Sequence, residues 1–322
     1  MSKLHKAVDH YVALRRGLGF KLGRTETRLR QFLVFMKDKR STRITTALAL
    51  EFAMQAPHLD PKTKAHRLSV VRGFARHHLA TDPATEIPPL GLLPSGSKRA
   101  HPYIYSETEI LRLLVGAQQY PSWNRFPGPW WSRFQAHTFS CLFGLLTVTG
   151  MRVGEVLNLQ PGDVDWINGV LTIRHAKFGK SRLVPLHPTT IKALATFMKH
   201  RDLFFAQLPS QPALSHFFVT SRGTQLKVSH VNRVFLIISR QIGLRASDAR
   251  RGPRLHDLRH RFAIETLLRW YRQGEKPDRL LPVLATYLGH THVSGTYWYL
   301  SSTPELMRAA GQLLERRWKE VR

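Results

Sequence analysis

One stretch of the sequence, PATEIPPLGLLPSGSKRAHPYIY at residues 83–105, limits the fold more than any other. Its proline, glycine and serine content forbids a continuous helix, so the chain must be interrupted there. Lys98 and Arg99 also make the stretch basic. Since 322 residues suffice for two domains, the interruption is interpreted as a domain boundary. The predicted parts are a first domain at 1–90, a basic linker at 91–105 and a second domain at 106–322.

Before the linker, four segments carry apolar residues at spacings of three and four, the pattern of an amphipathic helix. Leu29, Phe32, Leu33 and Met36 show this pattern in the second segment. The sequence therefore predicts a small helical bundle as the first domain. Its helices are expected at residues 4–17, 25–38, 45–55 and 61–80.

The second domain is predicted to open with a capping box formed by Ser106 and Glu109. An aromatic, proline-rich insertion at 120–131 is interpreted as a packed loop, and a buried helix is expected at about 133–148. Three short strand-like runs follow, DVDWI, VLTIR and RLVPL, with an Asn-Gly hairpin pair at 168–169. The remainder has helical periodicity, so the predicted fold class is mainly α with a small three-stranded β-sheet.

Charge is the strongest bulk property of the sequence, because 49 Lys and Arg residues against 21 Asp and Glu residues give a formal net charge of +28. The basic residues are interleaved through ordinary amphipathic segments in both domains, which favours nucleic acid over an anionic membrane as the partner. Those on the second and fourth predicted helices either track phosphates or form a solvated face. They are Arg24, Arg28, Arg30, Lys62, Lys64, Arg67, Arg72 and Arg76.

Several protein classes are excluded by the composition. No stretch is long and apolar enough to span a membrane, and the N-terminus lacks the apolar run of a secretory signal. The single cysteine, Cys141, rules out an internal disulfide or a thiolate metal cluster. The sequence also has no P-loop, no acidic metal cluster and no glycine-rich dinucleotide loop. We therefore expect a soluble, cytoplasmic protein that needs no cofactor.

Four places in the second domain carry residues suited to chemistry on a phosphate. In TGMRVGE, Arg152 follows a glycine turn at a helix start, where main-chain amides favour an anion. In HAKFGKSRLVPL, Lys177 lies in the turn between the second and third strands. In LHDLRHRFAIETLL, His256 and Arg259 are three residues apart and so share a helix face. In LGHTHVSGTYWYL, a glycine suited to a helix cap precedes His290, and two tyrosines follow.

These residues, in this order, resemble the tyrosine recombinase family, also called phage integrases or Xer-like recombinases. The resemblance covers most of the chain and is strongest from TGMRVGE to TYWYL. In the family's pattern the nucleophile lies nine residues after the LGH histidine, which is Tyr299, whereas Tyr297 is interpreted as a packing or groove contact. The resemblance implies a helical, SAM-like core-binding domain followed by an α-rich catalytic domain with a small sheet. The implied catalytic residues are Arg152, Lys177, His256, Arg259, His290 and Tyr299.

The reaction that the resemblance implies is cleavage and rejoining of DNA through a 3′-phosphotyrosyl ester, which keeps the energy of the broken phosphodiester. The two arginines clamp the non-bridging oxygens of the scissile phosphate. His256 acts as general acid and base toward Tyr299, Lys177 protonates the departing 5′-oxygen, and His290 hydrogen-bonds the phosphate.

Double-stranded DNA is the implied partner, bound by a homotetramer of a protein that we expect to be monomeric when free. The C-terminal segment from Thr303 is predicted to be a helix with one apolar face, Leu306, Ala309, Ala310, Leu313 and Leu314. That face either folds back on its own domain or docks in a neighbouring subunit, and we interpret it as docking. No further DNA-binding domain is expected ahead of the core-binding helices, and accessory proteins stay unassigned.

Other interpretations exist for the same residues. Arg152 and Arg259 also fit structural ion pairs, with Glu155 or Glu265 as partners. The segment HDLRH resembles a zinc-peptidase HExxH helix with Asp in place of Glu. A zinc peptidase also needs a third ligand and an acidic base of adequate reach, and a formal charge of +28 is unusual for an enzyme that cuts peptides. A type IB topoisomerase or telomere resolvase uses similar chemistry, and a catalytically silent DNA-binding relative is a further alternative.

Some neighbouring residues are assigned to secondary roles. Lys180 competes with Lys177 for the hairpin position, and the distance from VPL favours Lys177. Lys180 and Arg182 are then expected to contact the DNA backbone. His137 and His260 are expected to be structural histidines.

Overall fold

The computed structural model describes residues 3–94, 101–120, 128–174, 181–249, 251–301 and 303–320. The chain divides into two compact units, Met1–Ala100 and His101–Arg322. Each unit has a hydrophobic core of its own. In the parts of the chain that the structure describes, no helix is both long and apolar enough to cross a membrane.

The first unit is a helical bundle, as the sequence predicts. Its core contains the apolar stripe of the second helix, of which Leu29 and Phe32 are fully buried. Side chains of Thr45 and Asp60 accept hydrogen bonds from main-chain amides at the starts of the third and fourth helices, which fixes where these helices begin. The helices are α1 (Lys3–Gly17), α2 (Gly23–Asp38), α3 (Thr46–Met54) and α4 (Pro61–His78).

Some basic residues of α2 and α4 are structural and are not available to phosphates. The guanidinium of Arg67 is buried, donates to the Phe52 carbonyl at 2.9 Å and lies 4.0 Å from the centre of the Phe52 ring. Arg72 donates to the carbonyls of Pro88 and Pro89 and so fastens the end of this unit to α4. Neither a phosphate contact nor a place on a solvated face, the two alternatives for these residues, holds for Arg67, because its guanidinium is bonded inside the bundle.

The second unit begins with the predicted capping box, since the Ser106 amide donates to Glu109 at 2.8 Å and the Glu109 amide donates to the Ser106 hydroxyl at 3.1 Å. At its centre, α6 packs against α5, α8 and α10. The helices are α5 (Glu107–Gln119), α6 (Pro129–Thr149), α7 (Val153–Leu157), α8 (Pro188–Ala206), α9 (Val228–Gln241), α10 (Leu255–Arg272), α11 (Pro277–Leu288), α12 (Ser294–Tyr297) and α13 (Pro304–Glu320).

The insertion predicted as a packed loop at 120–131 falls largely on residues 121–127, which lie outside the described residues. From Pro129 the chain is already helical, so α6 begins earlier than the predicted position near residue 133. A proline in the first helical turn costs no hydrogen bond and has the backbone angle that a helix needs. Pro129 is therefore a helix start and not part of the loop.

The small sheet has the predicted strands, β1 (Val164–Asp165), β2 (Val170–Ile173) and β3 (Arg182–Pro185), joined in that order as antiparallel neighbours. The Asp165 carboxylate accepts the main-chain amides of Ile167 and Asn168 and so closes the first hairpin. Leu171 pairs with both Val164 and Val184 across the sheet. The predicted hairpin lysine, Lys177, and its competitor Lys180 fall in residues 175–180, outside the described residues.

Replacing Arg67 with alanine should destabilise the first unit, because the change leaves the Phe52 carbonyl without its buried donor and removes the side chain that covers the Phe52 ring. We expect a loss of about 2 kcal/mol in the free energy of unfolding, measured by urea denaturation of the full chain. The exposed Arg76 on the same helix is the control, and Arg76→Ala should change stability by less than about 0.5 kcal/mol. Equal stability of the two variants would contradict the structural role of Arg67.

Candidate active site

Three arginines meet at the C-terminus of α11. Three consecutive main-chain carbonyls there each accept a hydrogen bond from a different guanidinium group. The pairs are Arg182 with Tyr287 at 2.7 Å, Arg259 with Leu288 at 2.6 Å and Arg152 with Gly289 at 3.1 Å. The last carbonyls of a helix have no partner within the helix and carry partial negative charge, so cations are stabilised at this end.

The carboxylate of Glu155 holds two of these arginines together. One of its oxygens accepts from Arg152 Nη1 at 2.7 Å and from Arg182 Nη1 at 3.1 Å. The other accepts from the main-chain amide of Arg152 at 2.9 Å and from Arg182 Nη2 at 2.7 Å. Glu155 is buried and three residues after Arg152, so the same carboxylate caps the start of α7 and orients both guanidinium groups.

The ionisation of Glu155 depends on these partners. Burial by itself raises the pKa of this carboxyl, but the hydrogen bonds and charges of Arg182 and Arg152 outweigh it and lower the pKa to about 2. The carboxylate is therefore charged throughout the neutral range.

Two of the glycines whose carbonyls accept from the arginines are themselves closely packed. Gly289 ends α11 with φ +65, and a Cβ there would lie 2.9 Å from Arg182 Nη1. Gly150 ends α6 with φ +60, and a Cβ there would lie 2.6 Å from a ring carbon of Phe262. Both positions need the left-handed conformation and the missing side chain, because any larger residue is strained and collides with its neighbour.

Arg259 is the most enclosed of the three arginines, with 2% of its surface exposed. It donates to the Gly150 carbonyl at 2.8 Å in addition to its bond at the α11 terminus. Burial and the nearby charge of Arg152 lower its pKa to about 10, so it remains protonated at neutral pH. Arg152 is more accessible, with 28% of its side chain exposed. The two arginines thus differ in how readily a ligand reaches them.

His256 lies one turn before His260 on α10, and solvent still reaches its ring. The surrounding protein atoms and the positive charge of Arg259 lower the pKa of His256 to about 4. The imidazole is therefore neutral at neutral pH in this structure. An anion bound at the arginines would offset their charge and raise this pKa.

The two candidate tyrosines occupy different environments. Tyr297 ends α12 and is 52% exposed, whereas Tyr299 lies in a 3₁₀ helix, Trp298–Ser301, and is 1% exposed. The His290 ring lies 6.3 Å from the Tyr299 ring, centre to centre, and its Nδ1 is 2.7 Å from the Thr296 hydroxyl. The structure thus brings Tyr299 and His290 together, while the side chain of Tyr297 faces solvent.

The hydroxyl of Tyr299 is in hydrogen-bond contact with a residue that the sequence placed in a structural role. Nδ1 of His260 lies 3.0 Å from the Tyr299 oxygen, and both side chains are buried. The sequence assigned the acid and base role toward Tyr299 to His256. The only sequence indication of His260 was its spacing of four from His256, which places both histidines on one face of α10.

Arg182 also differs from its prediction. The sequence assigned it to the DNA backbone, but only 9% of its side chain is exposed, and its nitrogens are bonded to Glu155 and to the Tyr287 carbonyl. That expectation is wrong, because Arg182 links β3 to α7 and α11 inside the protein.

Known proteins of one family are similar to this chain. Residues 132–305, more than half of the chain, match the phage integrase family. The chain belongs to this family. The protein y4rB of Sinorhizobium fredii, named as an integrase/recombinase, is 48% identical over 99% of both chains. The tyrosine recombinase XerC of Chlorobaculum tepidum is 28% identical over 78% of this chain and 72% of its own.

Solved structures share the fold of this integrase family member. The Tn1549 transposon integrase in complex with transposon right end DNA has a TM-score of 0.66 at 16% identity, over 96% of this chain and 98% of that chain. The XerH site-specific recombinase in a post-cleavage complex with palindromic difH has a TM-score of 0.62 at 20% identity. The match covers 89% of this chain and 78% of that chain. The predicted fold class, mainly α with a small sheet, is confirmed, as is the resemblance to tyrosine recombinases.

In this phage integrase family member, side chains of the HDLRH segment at 256–260 are bonded to other protein groups. Asp257, which stands where a zinc peptidase has its general base, is buried and accepts the side chain of Arg254 at 2.7 Å. His260 contacts Tyr299. Within the described residues, no group of three or more His, Cys, Asp or Glu side chains is arranged to hold a metal ion. The structure therefore does not support the zinc-peptidase interpretation.

Replacing Glu155 with glutamine should destabilise the protein most at neutral pH, where it leaves the buried Arg182 and the partly buried Arg152 without their carboxylate. We expect a loss of about 3 kcal/mol near pH 7. Because the pKa of Glu155 is lowered from 4.5 to about 2, its contribution is present above pH 4.5 and disappears as the pH falls toward 2. The difference between wild type and variant should therefore shrink as the pH is lowered.

Urea denaturation at a series of pH values measures this difference. The exposed Glu107 is the control, and Glu107→Gln should change stability by less than about 0.5 kcal/mol. A stability loss in Glu155→Gln that does not change with pH would show that the glutamate contributes through packing and not through its charge.

Proposed function

We propose that this protein is a site-specific DNA recombinase that cleaves and rejoins DNA through a 3′-phosphotyrosyl intermediate and exchanges strands between two duplexes. The observation that carries the proposal is the enclosed Tyr299 beside His260 and His290, on the same unit as the arginine cluster at the end of α11. Membership of the phage integrase family supports a recombinase role. We place this activity in the cytoplasm.

In the proposed cleavage step, the Tyr299 oxygen attacks the scissile phosphorus and releases the 5′-oxygen of the DNA. Arg152 and Arg259 stabilise the negative charge that develops on the non-bridging oxygens. The sequence assigns His256 as general acid and base toward Tyr299, His290 to the same phosphate, and Lys177 to protonation of the departing oxygen. In the reverse step a DNA 5′-hydroxyl attacks the phosphotyrosyl ester and frees the tyrosine. Protein cations supply the charge stabilisation, so the proposal needs no metal or nucleotide cofactor.

Cleavage requires a change from the DNA-free structure. Tyr299 and Arg259 are 1% and 2% exposed, so a phosphate cannot touch either in this conformation. The more open Arg152 is the first of the pair that an incoming phosphate can contact. We propose that DNA binding exposes Tyr299 and Arg259 to the phosphate. The arrangement of side chains that can cleave DNA then forms only in the DNA complex.

The proposed substrate is double-stranded DNA, contacted by a core-binding domain at 1–90 and by a catalytic domain at 106–322, with 91–105 as the linker. The formal charge of +28 supports this partner, because each phosphate neutralised releases counterions. Of the solved proteins with the same fold, the Tn1549 integrase is in complex with transposon right end DNA, and XerH is bound to its palindromic difH substrate.

The proposed assembly is a homotetramer on DNA that dissociates to a monomer when free. A lambda integrase tetramer bound to a Holliday junction has the same fold, with a TM-score of 0.56 at 19% identity. In this chain, Leu306 at the start of α13 is fully buried in its own unit beside Tyr299, so that part of the helix folds back. Further along, Leu314 and Trp318 are 52% and 68% exposed. We assign the contact with a neighbouring subunit to this exposed second half.

Replacing Tyr299 with phenylalanine should abolish the covalent DNA adduct and leave DNA affinity nearly unchanged, because only the phenolic oxygen is removed. The substrate is a duplex selected for binding to the purified protein from a random-sequence library, with a nick that lets the short downstream strand escape after cleavage. We call this duplex the suicide half-site. Adduct is measured on denaturing gels in EDTA and without ATP.

Tyr297→Phe is the matched control and should form adduct at the wild-type rate, since that side chain faces solvent. Adduct in Tyr299→Phe, or its loss in Tyr297→Phe, would overturn the choice of nucleophile. Loss of the wild-type adduct on chelation would point to a metal nuclease.

Replacing Leu314 and Trp318 together with aspartate should spare binding to one half-site and weaken cooperative binding to two adjacent half-sites by about tenfold or more. Both side chains are exposed, so the substitution leaves the buried start of α13 intact. The measurement is a gel-shift titration on duplexes with one or two half-sites. Unchanged cooperativity would show that the second half of α13 does not join the subunits.

A further inference from the structure

We propose that His260 is a catalytic residue of this recombinase and that its Nδ1 accepts the proton of the Tyr299 hydroxyl when that oxygen attacks the phosphate. This inference rests on the proposed function, since it assigns a proton acceptor for the proposed nucleophile. Its basis is the contact between the two side chains, 39 residues apart in sequence and 3.0 Å apart at their polar atoms.

The geometry suits proton transfer. A separation of 3.0 Å between Nδ1 and the phenolic oxygen lies within the range for a general base and its substrate group. His260 lies on α10. Arg259 immediately precedes it in the sequence, and His256 lies one helical turn closer to the N-terminus. The base is therefore fixed on the same rigid helix as a proposed phosphate clamp. With the proton of the neutral ring on Nε2, Nδ1 is the acceptor in the bond with Tyr299.

The rings around His260 restrict its movement. The Trp298 ring lies 5.5 Å from the His260 ring in an edge-on arrangement, and the His256 ring lies 4.8 Å away, also edge-on. The Tyr299 ring is 5.5 Å away and tilted. His260 is 6% exposed, so water has little access to the shared proton. Tyr299 and its acceptor are thus positioned by packing before any DNA arrives.

The proton balance of the step is complete. As the bond between the Tyr299 oxygen and phosphorus forms, the phenolic proton passes to His260 Nδ1 and the ring becomes an imidazolium. The bond between phosphorus and the 5′-oxygen breaks, and that oxygen takes a proton from the group assigned to Lys177. When a 5′-hydroxyl later attacks, it returns its proton to the lysine, and the imidazolium returns its proton to the departing phenolate. No oxidant, metal or second base is needed.

His256 is the less suitable acceptor in this structure. It contacts His260 through ring edges, whereas His260 makes the hydrogen bond to Tyr299. Its lowered pKa of about 4 also makes it a weak base for a phenol. His256 is exposed and lies beside the arginines. It is therefore better placed to contact a bound phosphate than to contact the buried Tyr299.

Within the described residues, the ionisable side chains placed near the His260 ring come from its own helix and from the 3₁₀ helix. They are His256, with Arg259 adjacent in sequence, and Tyr299. Tyr271 and Tyr287 pack against the cluster around Tyr299, to which α11 and α13 bring the buried apolar residues Leu281, Leu284, Leu288 and Leu306. The Gly150 carbonyl at the end of α6 accepts from Arg259.

The experiment measures the rate of covalent adduct formation on the suicide half-site as a function of pH. His260→Asn keeps a polar atom near the position of Nδ1 but cannot take up a proton. We expect its rate to fall by about 10²- to 10³-fold near neutral pH. We also expect the difference in rate between wild type and His260→Asn to become smaller as the pH rises, because hydroxide then removes the phenolic proton of Tyr299. A residue that only supports the fold would give a deficit that is the same at every pH.

A second substrate separates the nucleophile from the leaving group. A suicide half-site with sulfur in place of the bridging 5′-oxygen has a leaving group that needs no proton. On this substrate, Lys177→Ala should form adduct at close to the wild-type rate, whereas His260→Asn should remain slow. Relief of both defects, or of His260→Asn alone, would overturn the assignment of His260 to the tyrosine.

The controls use histidines in the same unit. His137→Asn, in the α6 and α8 ring stack, should leave both rate and pH profile unchanged. His256→Asn should reduce the rate by the same factor at each pH, and a pH-dependent deficit in His256→Asn but not in His260→Asn would assign the base to His256 instead. DNA affinity and thermal unfolding are measured for each variant. If His260→Asn does not fold, His260→Gln takes its place in the same comparison.

The two proposals fail in different ways. Absence of any adduct in the wild-type protein would refute the proposed function. Wild-type adduct together with an unchanged rate and pH profile in His260→Asn would refute the role of His260 and leave the proposed function standing.

Discussion

The buried carboxylate of Glu155 is the interaction on which the rest of the site depends. It accepts four hydrogen bonds, two from the Arg152 residue and two from Arg182, and so ties α7 to β3. An isolated carboxylate in this position would be costly to bury, and so would either arginine alone. Together they satisfy one another, and the two guanidinium groups are left with little rotational freedom. The orientation of Arg152 toward a ligand is thus a consequence of packing, and it precedes DNA binding.

The C-terminus of α11 accommodates three positively charged side chains that would otherwise repel one another. Three guanidinium groups converge on three successive carbonyls, so like charges are held close together in a partly buried place. The negative end of the helix and the one carboxylate of Glu155 offset part of that charge. Within the described residues, these three cations share one carboxylate, so positive charge remains in excess. Burial, and then the nearby charge of Arg152, lowers the pKa of Arg259. A bound phosphate would offset this charge, so the cluster is suited to an anion.

The sequence predicted the elements and most of the candidate site because the relevant information is local. The four helices of the first unit follow from apolar spacing, and Arg152, His256 and Arg259 were found because each lies at a helix start. The partner of Tyr299 and the role of Arg182 could not be found in this way. His260 meets Tyr299 across 39 residues and Arg182 meets Glu155 across 27. Only the packing of α10 against the 3₁₀ helix and of β3 against α7 brings these pairs together. Local charge was misleading at Arg67, where a basic residue on a helix was interpreted as surface and lies instead in the core.

The burial of Tyr299 has a chemical consequence for a recombinase. A phosphotyrosyl ester is useful only if a DNA hydroxyl, and not water, resolves it. Water is present at a far higher concentration than any DNA end, so the site must exclude water from the line of attack. Tyr299 is enclosed by Trp298, His260 and the apolar residues of α11 and α13, whereas Tyr297 two residues earlier is open to solvent. An ester at Tyr297 would be open to hydrolysis. The packing around Tyr299 therefore limits the access of water to its hydroxyl, and this argument favours Tyr299 over Tyr297 as the proposed nucleophile independently of its position in the sequence.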